Sequence, residues 1–236
     1  MEVTSDRVIG VITTGNDELD KKIGGGIPPG SLTLIEGQPD AGKSVLTQQM
    51  VWGSLKNGYK IAFFSTENSV KSLITQMQSL NLDIMDYYLL SRLRIYPIDA
   101  RKKTRSLNEG LYPLIRSCVT KGIDLVVIDS ITYYVTHVEM ADLITFFEDC
   151  KVLNGKGMSV ICNIHSYAFD ESTLNRIGAM CDAHLRLRIE TMGTKLMKVL
   201  EVAKVRGALM KTGNIVSFDV EPNWGIRVIP YSKAKA

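Results

Sequence analysis

The chain has 236 residues, of which 45% are hydrophobic and 22% charged, with a formal net charge of +3. A chain of this length buries enough apolar surface to fold as one large domain without disulfide or metal staples, and so small a cationic surplus does not by itself imply a nucleic-acid partner. No apolar run approaches the roughly 18 residues of a membrane span, and the opening MEVTSDRVIG lacks the apolar core of a secretory leader, so the expectation is a cytoplasmic protein that meets a membrane only through partners.

Residues 7–30 form a lead-in. Asn16 can cap a short helix over 17–22 that stops at Gly24-Gly25-Gly26, and Pro28-Pro29-Gly30 turns the chain into an apolar strand. That strand (Leu32, Leu34, Ile35) runs into Gly37-Gln38-Pro39-Asp40-Ala41-Gly42-Lys43-Ser44, and a helical pattern follows with Val45 and Leu46. G-x-x-x-x-G-K-[ST] between a strand and a helix has a mechanism: loop N–H groups and the positive end of the helix dipole wrap a polyphosphate. Gly37 and Gly42 are expected to let the backbone close around the phosphates. Lys43 would supply a point charge to the β- and γ-phosphates of a nucleoside triphosphate, and Ser44 a hydroxyl to Mg²⁺.

Helix over 43–57, strand over 60–65, helices over 69–80 and 83–90 and a small strand over 93–97 come next. Arg101-Lys102-Lys103-Thr104-Arg105 reads either as a solvated turn or as a contact for an acidic partner. A helix over 107–121 precedes the apolar strand Asp124–Asp129, a hydroxyl- and aromatic-rich loop from Ser130 to His137, and a helix over 139–153. The strand Met158–Ile164 ends in His165-Ser166, and a helical linker spans 171–180. Strands over 184–189, 195–205, 215–220 and 226–229, joined by Gly- and Asn-containing turns, complete a meander. The expectation is an α/β fold, a mostly parallel sheet flanked by helices and extended by a C-terminal antiparallel β-meander, forming one domain over 1–230 with a frayed tail 231–236. Cys118, Cys150, Cys162 and Cys181 sit in apolar patterns with no C-x-x-C and are expected to be reduced, packed thiols.

In open α/β sheets, ligands gather at the C-terminal ends of the strands. Asp129 ends an apolar strand there and reads as the acid that holds Mg²⁺ through water, or else as a cap for the next segment. Glu67 ends the neighbouring strand, where a carboxylate can take a proton from a water attacking the γ-phosphate. His165 is a candidate reporter of the γ-phosphate, or simply a buried, satisfied histidine. Lys204 and Arg206 alternate on a late strand and suit an anion clamp supplied to a neighbouring protomer, although such pairs also occur on solvated strands.

The stretches TTGNDELDKKIGGGIPPGSLTLIEG, GQPDAGKS, FFSTEN, LVVIDS and AKVRGALMKTGNIVSFDVEPNWGIRVIP resemble the RecA/KaiC-type branch of P-loop ATPases. Within that branch PDAGKSVLTQQMVWGSLKNGYK, FFSTENSVKSLITQMQSL and DIMDYYLLSRLRIYPI resemble the FlaH (ArlH) family of archaellum accessory ATP-binding proteins. The resemblance implies a RecA/KaiC-like P-loop NTPase core assembled as a homo-oligomeric ring, a hexamer, at the cytoplasmic face of the archaellum motor. It also implies partnership with the motor ATPase FlaI and other motor or switch components, and it strengthens Lys204 and Arg206 as a phosphate clamp acting between subunits. Two departures from the family pattern point to slow or absent hydrolysis. The second of two acids is replaced in Glu67-Asn68, and Asp40 stands where the loop commonly carries Gly, with its side chain expected to face solvent. The alternatives are an active ATPase or autokinase using Glu67 as base and, less favoured, a DNA-binding recombinase. The segment from Ser166 to Asp182 that would face a central channel has Arg176 as its one Lys or Arg.

Overall fold

Largely apolar runs bounded by turn residues form strands buried on both faces, β1 (Leu32–Gly37), β2 (Ile61–Ser65), β4 (Leu125–Asp129) and β5 (Ser159–His165), whereas β3 (Leu93–Pro97) buries Leu93 and Ile95 on one face and leaves Arg94 and Tyr96 half-buried on the other. The computed structural model describes residues 10–98, 107–135 and 138–230. The basic stretch Arg101–Arg105, His137 and the tail 231–236 lie outside the described residues. Four more strands follow: β6 (Ala183–Met192), β7 (Lys195–Val205), β8 (Ile215–Glu221) and β9 (Gly225–Ile229). All nine make one sheet in the order β3-β2-β4-β5-β1-β6-β7-β8-β9. Pairing is parallel from β3 to β6 and antiparallel from β6 to β9, so the expected parallel sheet with a meander is the observed one.

Helices α1 (Asp17–Lys22), α2 (Lys43–Lys56), α3 (Val70–Ser79) and α4 (Met85–Leu89) come before β3 in the chain, and α5 (Tyr112–Thr120), α6 (Thr132–Val135), α7 (Met140–Asn154) and α8 (Glu171–Met180) after it. Strand alternation divides the core in two. Ile61 and Phe63 join Leu46, Met50, Leu73 and Met77 on one face. Ala62 and Phe64 join Ile115, Phe146, Phe147 and Ile177 on the other. As expected, Asn16 caps α1, its side chain accepting from the N–H groups of Glu18 and Leu19. All four cysteines are free and buried, and burial pushes their thiols up, that of Cys181 to about 12.

Two differences from the sequence reading have local causes. The stretch expected to be a loop from 130 contains the single turn α6, whose Tyr134 and Val135 are buried. The helix expected from 107 begins as a wider turn over Leu107–Leu111, and α5 proper starts with Pro113 in its first turn. Proline has no N–H to give to a regular preceding turn. Among the described residues, no helix is long and apolar enough to cross a membrane.

Candidate functional site

Six parallel strands end on the same side of the sheet, and β1 sits among them between β5 and β6. Gly37 closes β1, and α2 begins at Lys43. A Cβ on Gly37 would lie 2.2 Å from the carbonyl oxygen of Leu187 in β6. Gly37 is therefore glycine because a neighbouring strand comes close, a reason distinct from the phosphate wrapping expected of it. Gly42 has φ +97° and sits against the Phe218 ring, so here the backbone conformation itself favours glycine. Gln38, Pro39 and Asp40 are exposed and Ala41 is buried. Asp40 adopts φ +58°, and its exposure agrees with a side chain turned to solvent. Gln38 ties the loop to β6, its Oε1 accepting from the Ile189 N–H at 3.0 Å. No side chain caps α2 and no acid lies in its first turn, which includes Ser44 and Val45, leaving this end of a fourteen-residue helix electropositive.

Lys43 is buried, 4% exposed. Its Nζ donates to the carbonyls of Gly37 at 3.0 Å and Gln38 at 2.7 Å and lies 3.1 Å from His165 Nδ1. Burial pushes its pKa down, against the pull of Asp129, Glu67 and Asp40. The other imidazole nitrogen, Nε2, lies 3.5 Å from Glu67 Oε1. His165 thus bridges the lysine and the carboxylate, with its ring stacked on Tyr167 at 5.2 Å and its backbone N–H donating to Thr132 Oγ1 at 2.9 Å. The Glu67 side chain is 55% exposed. Asn68 faces away into α3, its Oδ1 accepting from Ser72 at 2.9 Å and Gln76 at 3.1 Å.

Asp129 is 3% exposed. Burial raises its pKa, while hydrogen bonds from Asn163 and Ser44 pull it back. Asn163 Nδ2 donates to Asp129 Oδ1 at 2.8 Å, and its Oδ1 accepts from Thr47 Oγ1 at 2.9 Å. The Ser44 hydroxyl and the Asp129 carboxylate are in contact, a hard oxygen pair of the kind Mg²⁺ prefers. The uncapped helix start and the buried ammonium beside it suit an anion. On both counts the residues present fit a magnesium–polyphosphate. Asn163 and Thr47 are not singled out by sequence reasoning; the available signal is one amide inside an otherwise apolar strand and a hydroxyl four residues after Lys43.

A second polar cluster, with no motif to announce it, lies on β1 one residue before the loop. Glu36 is buried, and its Oε1 accepts from Arg186 Nε at 2.8 Å and lies 3.1 Å from His184 Nε2. Arg188 carries the chain of charges on to Glu190 and Glu201, both at 2.7 Å.

Lys204 and Arg206 are not brought to the phosphate loop within the chain. Lys204 pairs with His184, and His184 with Leu34, on the half of β1 away from the loop. The Lys204 Nζ donates to the carbonyls of Gly178 at 2.7 Å and Ala179 at 3.1 Å, closing the end of α8. Arg206 lies just beyond β7, 3.5 Å from Asp182.

A family profile described as "ATPase: KaiC" matches residues 12–233. The Archaeal flagellar ATP-binding protein FlaH of Sulfolobus acidocaldarius is 35% identical over 229 residues, covering 96% of this chain and 100% of that protein. Its namesake from Methanocaldococcus jannaschii is 33% identical over 224 residues, covering 92% and 94% respectively. The crystal structure of flagellar accessory protein FlaH from Methanocaldococcus jannaschii superposes with a TM-score of 0.77 at 29% identity, covering 94% of this chain and 100% of that one.

Proposed function

Since the chain belongs to the KaiC family of ATPases and, within it, to the FlaH archaeal flagellar ATP-binding proteins, we propose that it is an ATP-binding regulatory and assembly component of the archaellum motor. In this reading it forms a nucleotide-dependent ring at the cytoplasmic face of the motor, engages the motor ATPase FlaI, and hydrolyses ATP slowly or not at all.

The observation that carries the reading is the arrangement of Lys43, Ser44 and Asp129 around the start of α2. A buried ammonium is costly unless it meets anions. The Nζ of Lys43 already gathers two loop carbonyls and His165, and a polyphosphate would replace these with stronger charge-assisted partners. Ser44 and Asp129 would hold Mg²⁺, which supplies charge neutralisation at the phosphates. Asn163 and Thr47 orient the carboxylate. His165, in reach of Lys43 on one side and Glu67 on the other, is placed to register whether a terminal phosphate has drawn the lysine away. The exposure of Glu67 and the diversion of Asn68 into α3 leave one loosely held carboxylate for base chemistry, which supports binding over rapid turnover.

The reading is tested by measuring particle size and phosphate release with and without ATP·Mg²⁺. Nucleotide-dependent assembly with turnover far below about 1 s⁻¹ supports it. An assembly indifferent to nucleotide refutes the gating. The 3.5 Å contact between His165 and Glu67 favours one rival, an ATPase or autokinase with Glu67 as base. Turnover near or above about 1 s⁻¹, lost in Glu67→Gln, would establish that rival instead.

A further inference from the structure

Adjacent residues of α6 look into different spaces: Tyr133 lines the cleft beside Glu67 and His165, and Tyr134 lines a second cavity of about 370 Å³. That volume falls in the range that accepts a small molecule or a few side chains. Its wall is a stacked pair, Phe64 of β2 and Tyr96 of β3, with ring centroids 5.0 Å apart. Across from them α5 presents Leu114, 48% exposed, together with Ser117 and the buried Cys118.

Three further features converge on this place. Lys121, the one charged residue among the described lining residues, holds its Nζ 3.5 Å from Ser117 Oγ and 6.0 Å from the Tyr96 ring. Arg94, on the same face of β3 as Tyr96, is near enough to act on the Cys118 thiol. Among the described residues neither cation has a carboxylate partner within salt-bridge distance. Finally, β3 ends the sheet, and among the described residues it pairs with β2 alone.

We propose that an extended acidic segment of a partner protein lies along the outer edge of β3, seats one large apolar side chain in this cavity, and sets its carboxylates against Lys121 and Arg94. An open edge supplies main-chain hydrogen bonds to an added strand, and a side-chain pocket beside it supplies selectivity. Two cations with no carboxylate beside them among the described residues fix the sign of the charge that complements them. The proposal stands apart from the nucleotide reading, because none of these groups belongs to the phosphate loop.

The test is selection of a phage-displayed library of random twelve-residue peptides on the full-length chain. Selected peptides are then measured as fluorescein conjugates by anisotropy against the native chain, Ser117→Trp and Lys121→Glu. Thermal melting by circular dichroism checks that each variant is folded. The expected peptides carry one Phe, Trp or Leu flanked by Asp or Glu and lose about tenfold or more in affinity with either variant. Should Ser117→Trp melt early, Lys121→Glu, a change at an exposed position, decides the matter alone. Selected peptides that are basic or uncharged, that bind Lys121→Glu as well as the native chain, or a selection that enriches no peptide would overturn the proposal.

Discussion

The side-chain amide of Asn163 donates to the Asp129 carboxylate at 2.8 Å. Its amide oxygen in turn accepts from Thr47 at 2.9 Å, so the acid is fastened to the helix that carries Lys43 and Ser44. Replacing Asn163 by Leu removes this support from a carboxylate that is 3% exposed. The expected loss is about 1–3 kcal/mol of stability, the cost of leaving a buried polar group unpaired. It should appear as a lower urea midpoint, with a weaker Mg²⁺ dependence of nucleotide binding. An unchanged midpoint would show that Asn163 does not hold the acid.

Asp129 also sets a pH dependence. Its pKa is raised above the ordinary 3.8, chiefly by burial. Because the folded state binds the proton more readily than the unfolded chain, stability falls as pH rises from 3.8 through the folded pKa. Mg²⁺ needs the deprotonated form, so its contribution to nucleotide affinity is lost as pH falls through that same raised value, earlier than for an ordinary carboxylate. Nucleotide titrations with and without Mg²⁺ across acidic pH should converge. In Asp129→Asn the gain from Mg²⁺ at neutral pH should be smaller than in the native chain, because Ser44 alone of the pair is left to hold the ion.

Gly37 and Gly42 should fail for different reasons. In Gly37→Ala the new methyl meets the Leu187 carbonyl at 2.2 Å. The β1–β6 pairing must shift, at a cost of roughly 1–3 kcal/mol or more. The defect should be visible in unfolding experiments without nucleotide. Gly42→Ala is strained by its φ of +97°, and the loop conformation suffers most. Full stability of Gly37→Ala with lost nucleotide binding would contradict this division.

Lys204 and Arg206 can likewise be separated. Lys204→Ala deprives the end of α8 of two hydrogen bonds and should cost about 0.5–1.5 kcal/mol in the isolated chain. Arg206 is 54% exposed, and Arg206→Ala should leave the fold intact. If this pair clamps phosphate across a subunit boundary, Arg206→Ala will weaken ATP-dependent assembly in sedimentation experiments without altering melting. Unaltered assembly would remove Arg206 from that role.

The fold is legible in the sequence because its local signals agree: buried strands are mostly apolar, α2 and α5 end just before Gly58 and Gly122, and the meander turns at Gly193, Gly213 and Asn223-Trp224-Gly225. That Lys43, Ser44 and Asp129 come together is legible because the loop motif and the end of β4 both fall at the C-terminal edge of the sheet. What escapes is long-range. Nothing near Gly37 in the chain reveals that Leu187 lies against it. The bond between Asn163 and Thr47 joins residues 116 apart. Spacing places Lys204 and Arg206 together on a strand, but Lys204 turns to the end of α8 and Arg206 lies just past β7. The single turn α6 is hidden because its burial comes from tertiary contacts rather than from any periodicity four residues can show.

The central claim is most directly tested by isothermal titration of ATP into the full-length chain in the presence of Mg²⁺, beside Lys43→Ala. The account predicts saturable binding by the native chain and a loss of about a hundredfold or more in the variant, consistent with losing a buried charge-assisted partner worth roughly 3 kcal/mol. Native protein with no measurable affinity for ATP·Mg²⁺, or Lys43→Ala binding as tightly as the native chain, would contradict it.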